Sequence, residues 1–155
     1  MKLAEALIER AALQRQVEQL HARIVANARY QEGEEPAEDA AALLTEVSTA
    51  LDALRDLVLA INLTNAASST AAGEPLTAAL ATRDALRKRH AILVSAADAA
   101  AGSGGGYRQL RSELRQVAAL PVGTLRTEAD LLAKRIRDLE SSIQQANWEV
   151  DLQQR

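Results

Sequence analysis

The chain has 155 residues, a formal net charge of −3 and no cysteine. That length suits one domain with a single hydrophobic core, and the lack of cysteine excludes thiolate catalysis, disulfides and cysteine-based zinc sites. Aromatic residues make up only 2% of the chain, and its abundant alanine and leucine favour helices over strands. We therefore expect an all-α bundle domain over 1–155, with helices at about 3–28, 36–64, 77–101 and 123–150.

The first predicted helix shows a heptad seam, in which inward-facing positions alternate at spacings of three and four residues. Arg10 and Asn27 occupy two of these positions. Polar residues in such a seam usually fix helix register or oligomeric state. The complete predicted seam is Leu3, Ala6, Arg10, Leu13, Val17, Leu20, Ile24 and Asn27.

An acidic stretch, Gln31 to Asp39, follows the first helix. Gly33 permits a turn, and Pro36 fits the first position of the second helix, where the helix dipole favours carboxylates. The stretch lacks the alternation of an EF-hand loop, and the Glu-x-x-His at Glu18 occurs once, whereas di-iron bundles use it twice. We therefore expect a solvated helix start, no metal and no cofactor.

The second helix has a broader apolar stripe, which is typical of a helix inside a bundle. Its predicted seam is Leu44, Val47, Leu51, Leu54, Val58, Ile61 and Asn65, and Leu43, Ala50 and Leu57 widen the stripe on one side. Leu59 and Leu63 lie off this stripe, as Ile8 does on the first helix. We expect these three side chains to face solvent within one bundle, and their exposure suggests an interface.

The third helix has Thr77 as its candidate N-cap and a polar face that includes Arg83 and His90. A flexible glycine-rich connector at 102–106 is expected to follow it, without the lysine of a phosphate-binding loop. Residues 107–122 fit either a helix or an extended arm, since their leucines suit both spacings and Pro121 forbids a continuous helix.

The fourth helix returns to a regular heptad seam. Four long helices with short connections predict an up-down-up-down topology. The predicted seam is Ala129, Leu132, Ile136, Leu139, Ile143, Ala146 and Val150.

In that topology the first helix starts, the second ends, the third starts and the fourth ends at one level. Polar residues near these four ends should therefore collect in one place, either as a structural network or as a site for a small polar ligand. Asp84 is expected to pair with Arg10 or with an arginine of a neighbouring subunit. The predicted cluster comprises Arg10, Asn62, Asn65, Arg83, Asp84, Asn147 and Trp148.

Charge is unevenly spread along the chain. Residues 1–75 carry 6 basic and 12 acidic residues, a net charge of −6, and residues 76–155 carry 12 basic and 9 acidic residues, a net charge of +3. This division favours attraction between the halves or between subunits over nucleic-acid binding, for which aromatic residues are also scarce. No apolar run approaches the roughly 20 residues of a membrane span. We expect a homo-oligomer, a dimer or higher, without nucleic-acid or membrane partners.

Several stretches resemble a family of short bacterial helical proteins often labelled septicolysin. They are "MKLAEALIERA", "QEGEEP", "INLTNA", "LTAALATRDALR", "RSEL" and "IQQANW". The resemblance covers nearly the whole chain and is weakest from Gly102 to Gly123. It implies a bacterial cytoplasmic protein and no catalytic residue, and the apolar stripes do not support the cytolysin that the label names. We predict a non-enzymatic, self-associating helical protein. The alternative is a protein, or an enzyme, that binds a small polar ligand or a nucleotide at the polar end of the bundle.

Overall fold

The computed structural model describes residues 1–102 and 116–153. Within these ranges the fold is all-α, which confirms the predicted class, and the only β-type pairings are two isolated bridges, Lys2 with Asp151 and Ser69 with Pro75. None of the helices in the described ranges combines the length and the apolar character that a membrane crossing requires. The helices are α1 (Leu3–Asn27), α2 (Ala40–Ala67), α3 (Leu76–Ala100) and α4 (Val122–Glu149).

The chain divides into two compact units. The first unit comprises Met1–Pro75 and Gln144–Arg155, and the second unit comprises Leu76–Ile143. The first unit therefore holds α1, α2 and the last residues of α4, whereas the second holds α3 and most of α4. A single domain over 1–155 stays a prediction.

The predicted seam of α1 is confirmed, because every residue in it is buried or half-buried. The side chain of Glu5 secures the start of the helix by accepting a hydrogen bond of 2.7 Å from the Lys2 backbone amide. Farther along, Leu20 packs with Leu43 and Ala50 of α2, and partly buried apolar side chains pack against this core. The added residues are Val17, Ile24 and Val47.

The buried seam of α2 is shifted by one residue from the predicted one at several positions. Leu44 and Leu51, predicted to be inside, are 53% and 48% exposed. Both edges of the stripe are apolar, so hydropathy does not distinguish them, and the core uses the edge with the small Ala50, which leaves room for Leu20. The observed seam is Leu43, Val47, Ala50, Leu54, Leu57, Ile61 and Thr64.

A side-chain cap sets the start of α2. The Asp39 carboxylate accepts hydrogen bonds from the backbone amides of Ala41 at 2.8 Å and Ala42 at 3.3 Å. The helix therefore begins at Ala40 and not near Pro36, which lies in the preceding loop. Gly33 supplies the predicted turn, with a φ of 91° that glycine adopts without strain.

Ion pairs link α3 and α4 within the second unit. Arg87 Nε donates to Glu140 at 2.8 Å, and Arg89 Nη2 donates to Glu128 at 2.9 Å. Asp98 near the end of α3 lies 3.9 Å from Arg126 near the start of α4, so the two helices run antiparallel. These exposed pairs orient the helices but contribute little to stability.

The buried stripes of these helices largely follow the sequence pattern. Every residue of the predicted α4 seam is buried or half-buried. The stripe of α3 includes buried Leu86 and Ala97, and it passes through half-buried Arg83 and His90. Thr77 lies inside α3 instead of capping it, since the helix begins at Leu76.

The connector between α3 and α4 is described only at its two ends. Gly102 has a φ of 79°, and the rest of the predicted glycine-rich connector, 103–106, lies outside the described residues. Most of the predicted helix or extended arm, 107–115, also lies outside them. Residues 116–121 are exposed and not helical, and α4 begins at Val122, directly after Pro121.

We expect Asp39→Ala to lower the free energy of unfolding by about 1 kcal/mol, because two amide donors at the start of α2 lose their acceptor. Asp39→Asn should retain about the wild-type stability, since asparagine caps helices comparably. Urea denaturation followed by circular dichroism measures both values. Equal destabilisation by alanine and asparagine would show that the cap does not set this boundary.

Candidate functional site

A terminal clasp joins the start of α1 to the residues that follow α4. We define it as Met1–Leu3, Thr64 and Glu149–Gln153. The Leu3 amide donates to the Val150 carbonyl at 3.0 Å, and the Leu152 amide donates to the Met1 carbonyl at 2.9 Å. The resulting antiparallel bridge fixes two chain segments that would otherwise fray.

Lys2 closes the end of α4. Its ammonium nitrogen donates to the Glu149 carbonyl at 3.0 Å and lies 2.8 Å from an Asp151 carboxylate oxygen. A cation at this place complements both the unpaired carbonyls and the dipole of a helix C-terminus. The ammonium of Lys2 also lowers the pKa of Asp151, chiefly through their hydrogen bond, so the pair stays ionised to lower pH.

Thr64 connects the end of α2 to the clasp. Its fully buried hydroxyl donates to the Ala60 carbonyl at 2.8 Å and accepts from the Gln153 amide at 2.9 Å. One hydroxyl thus satisfies a helix carbonyl and a terminal amide together. The predicted meeting of the start of α1, the end of α2 and the end of α4 is confirmed within the first unit.

Five residues of the predicted polar cluster belong to the first unit. Asn147 is buried with 6% exposure, and Asn65 is half-buried near the end of α2. Arg10 is half-buried, and its Nε atom is fully buried without a hydrogen-bond partner in the described part of the chain. Asn62 and Trp148 are exposed, so they do not belong to a buried network.

The other two predicted residues, Arg83 and Asp84, belong to the second unit and pair with each other. Arg83 donates to one Asp84 carboxylate oxygen from Nε at 2.9 Å and from Nη2 at 2.7 Å. Asp84 thus has an arginine partner within its own unit, and its expected pairing with Arg10 or with an arginine of a neighbouring subunit stays a prediction. The Asp84 side chain is 65% exposed, so the pair is weak.

The acidic stretch anchors the α1–α2 loop. The Arg23 guanidinium binds the Glu38 carboxylate, with Nε at 3.1 Å and 3.0 Å from its two oxygens. This contact holds the pKa of Glu38 below its ordinary value. Asn27 joins the anchor, because its side-chain oxygen accepts from the Glu38 amide at 3.1 Å and its nitrogen donates to the Arg23 carbonyl at 2.9 Å.

These hydrogen bonds give the acidic stretch a structural role. Glu38 has a cationic partner, and Asp39 accepts the first amides of α2, so neither carboxylate is aimed at an open cation position. Across 1–102 and 116–153, no group of three or more histidine, aspartate or glutamate side chains is arranged to hold a metal ion.

An exposed apolar surface runs along the outside of α2, and we call it the α2 leucine face: Leu44, Leu51, Leu59 and Leu63. Their side chains are 53%, 48%, 39% and 44% exposed, respectively. The predicted exposure of Leu59, Leu63 and Ile8 is confirmed. Leu44 and Leu51 join the face because the core uses the other edge of α2.

The residues that build the clasp were missing from the predicted cluster. The sequence pattern does not single out Thr64, because this residue occupies a seam position only in the observed register of α2. Lys2 and Asp151 lie just outside the ends of α1 and α4, where periodicity gives no signal. A base before a helix start and an acid after a helix end are the reverse of the charges that a helix dipole favours, so helix-end preferences would not have identified Lys2 and Asp151 either.

We expect Thr64→Val to lower the free energy of unfolding by about 1 to 3 kcal/mol, because it leaves the Gln153 amide without an acceptor at nearly unchanged volume. Thr49→Val is the matched control, since that exposed hydroxyl only donates to the Thr45 carbonyl. It should change stability by less than about 0.5 kcal/mol. Hydrogen exchange of the Gln153 amide should accelerate in the Thr64 variant alone, and equal effects of the two substitutions would contradict this role.

The chain is similar to a crystal structure of a functionally unknown conserved protein from Corynebacterium diphtheriae, with 38% sequence identity, a TM-score of 0.91 and 99% of each chain covered. A comparison with curated proteins finds no match. A family of unknown function, DUF6847, matches residues 10–152. This agrees with a resemblance to proteins without an established activity, whereas the septicolysin label finds no support. The chain belongs to the DUF6847 family.

Proposed function

We propose that the protein is a non-enzymatic helical protein that associates with copies of itself. The observation that carries this proposal is the α2 leucine face. A single exposed leucine is ordinary on a protein surface, but four leucines on one helix, two on each side of a charged centre, expose apolar area that an interface can bury.

The geometry of the face suits packing against another helix. Leu44, Leu51 and Leu59 project within about 80° of one another around the helix axis, and Leu63 extends the patch on one side. The face runs for about 29 Å along α2, at 1.5 Å per residue. Such a stripe, beside the face that packs on α1, is what a helix contacting two neighbours requires.

The net charges of the two units favour a contact between the first unit of one copy and the second unit of another. The first unit carries 7 basic and 14 acidic residues, a net charge of −7, and the second carries 11 basic and 7 acidic residues, a net charge of +4. Opposite net charges attract between molecules and accelerate encounter at low ionic strength. The cytoplasmic location and the septicolysin-like relationship are predictions from the resemblance, and neither adds an activity.

The clasp supports a structural role for the polar residues at this end of the first unit. The Thr64 hydroxyl both donates one hydrogen bond and accepts another. The Lys2 ammonium contacts the Glu149 carbonyl and the Asp151 carboxylate. Groups that are satisfied by the protein in this way hold the fold together and do not need a ligand.

Arg10 favours a second candidate function, binding of a small anionic ligand. Its buried Nε is a charged donor without an acceptor in the described part of the chain, and leaving such a group unpaired is costly. A carboxylate or phosphate oxygen is the acceptor that a guanidinium prefers. This candidate corresponds to the predicted small-ligand or nucleotide-binding alternative.

Light scattering after gel filtration at micromolar concentration should show a dimer or higher oligomer, and Leu59→Lys/Leu63→Lys should shift it towards the monomer. Burying two ammonium groups in an apolar contact would be costly. Ala53→Lys, an exposed α2 position on another side of the helix, controls for added charge and should associate normally. A wild-type protein that is monomeric at these concentrations would reject the proposal.

A thermal-shift series with inorganic phosphate and with adenosine triphosphate tests the second candidate. A ligand at 100 times its Kd adds about 2.7 kcal/mol of stability. Arg10→Met should remove that shift while retaining the apolar stem, whereas Arg15→Met, at an exposed α1 position, should leave it unchanged. An absence of stabilisation by both anions in the wild-type protein would reject anion binding at Arg10.

A further inference from the structure

Resting on the proposed self-association, we infer that α2 packs antiparallel against α2 of a second copy across a two-fold axis. The axis crosses the helix pair at the level midway between residues 53 and 54 of each helix. It places Leu44 of one copy opposite Leu63 of the other and Asp52 opposite Arg55. The leucines supply the apolar contact, and the charged residues select the direction and register of the two helices.

The α2 leucine face has a charged centre. Arg55 lies between Leu51 and Leu59 on the same side of the helix. Its Nη1 atom donates to Asp52 at 2.9 Å and its Nε atom donates to Asp56 at 2.9 Å. All three side chains are about two-thirds exposed, so a second copy can reach them.

This centre disfavours a parallel pair of α2 helices. In a parallel arrangement with matching register, Arg55 would lie beside Arg55 and the aspartates beside aspartates. Like charges brought together across an interface oppose binding. An antiparallel pair whose axis passes through Arg55 would also bring the two guanidinium groups together, whereas an axis at the level between residues 53 and 54 places each Arg55 opposite an Asp52 of the other copy.

That axis also suits the sizes of the facing side chains. It places the small Ser48 opposite the large Leu59, and alternation of small and large residues allows two helices to approach closely. The Ser48 hydroxyl already donates to the Leu44 carbonyl of its own helix at 2.8 Å. Covering it with a leucine therefore leaves no unpaired donor.

A two-fold pairing of this kind is closed. The same residues contact each other twice, so an isologous contact of α2 with α2 stops at a dimer. An attraction between the first unit of one copy and the second unit of another would instead be heterologous and is an alternative that the experiment distinguishes.

Charge reversal tests the facing of Asp52 and Arg55. Asp52→Arg and Arg55→Asp should each raise the dimer Kd about tenfold, because each creates two repulsive contacts. The combined variant Asp52→Arg/Arg55→Asp should recover a Kd within about threefold of the wild-type value, since the charges are again complementary. Analytical ultracentrifugation measures these constants, and circular dichroism confirms that each variant is folded.

Cross-linking tests the direction of the helices, and the natural absence of cysteine makes each introduced thiol unique. Under oxidation, an equal mixture of Leu44→Cys and Leu63→Cys proteins should form a mixed disulfide dimer. Each variant alone should not, since identical positions lie far apart in an antiparallel pair. Self-linking of Leu44→Cys alone would indicate a parallel pair and overturn the inference.

The remaining outcomes separate this inference from the proposed function. If neither the α2 leucine substitutions nor the charge reversals change the dimer Kd, the dimer uses another surface. That result would reject the α2 pairing and leave the proposed self-association intact. Failure of the combined charge variant to recover also rejects the pairing. A monomeric wild-type protein rejects both the pairing and the proposed function.

Discussion

The hydrogen bonds of the buried Thr64 hydroxyl help to hold the start of α1, the end of α2 and the end of α4 together in the first unit. This hydroxyl ties the last turn of α2 to Gln153, and the residues just before Gln153 pair with Met1–Leu3. Because a buried hydroxyl with two partners tolerates little displacement, the end of α2 fixes where the terminal segments lie. The start of α1 and the end of α4 therefore depend on a side chain from the middle of the sequence.

The fold assigns different sides of α2 to different tasks. One side packs on α1 through Leu43 and Ala50, and the end of the helix serves the clasp. The outer side carries the leucines that neither the core nor the clasp uses. A rigid helix held at both its cap and its last turn presents such a surface with little entropy to lose on binding, which is why the proposed function is centred there.

Sequence periodicity predicted the helical class and the seams of α1 and α4, because each of these helices has one narrow apolar stripe. It placed the α2 seam one residue off at several positions, since both edges of that stripe are apolar and packing on Leu20 chose the edge with Ala50. Capping by Asp39 moved the start of α2. Topology brought the ends of α2 and α4 together, but it could not identify Thr64 or the pairing of Arg83 with Asp84, which depend on side-chain orientation.

The clasp also constrains the order in which the protein is made. The contacts between α1 and α2 join residues that all lie within the first 67 of the chain, so this hairpin can form early in synthesis. Thr64 and Leu3 wait for partners near residues 150–153, which leave the ribosome only after the entire second unit. Until then the buried donor and acceptor groups of the first unit are open to water, so its completion is coupled to the emergence of the last turn of α4.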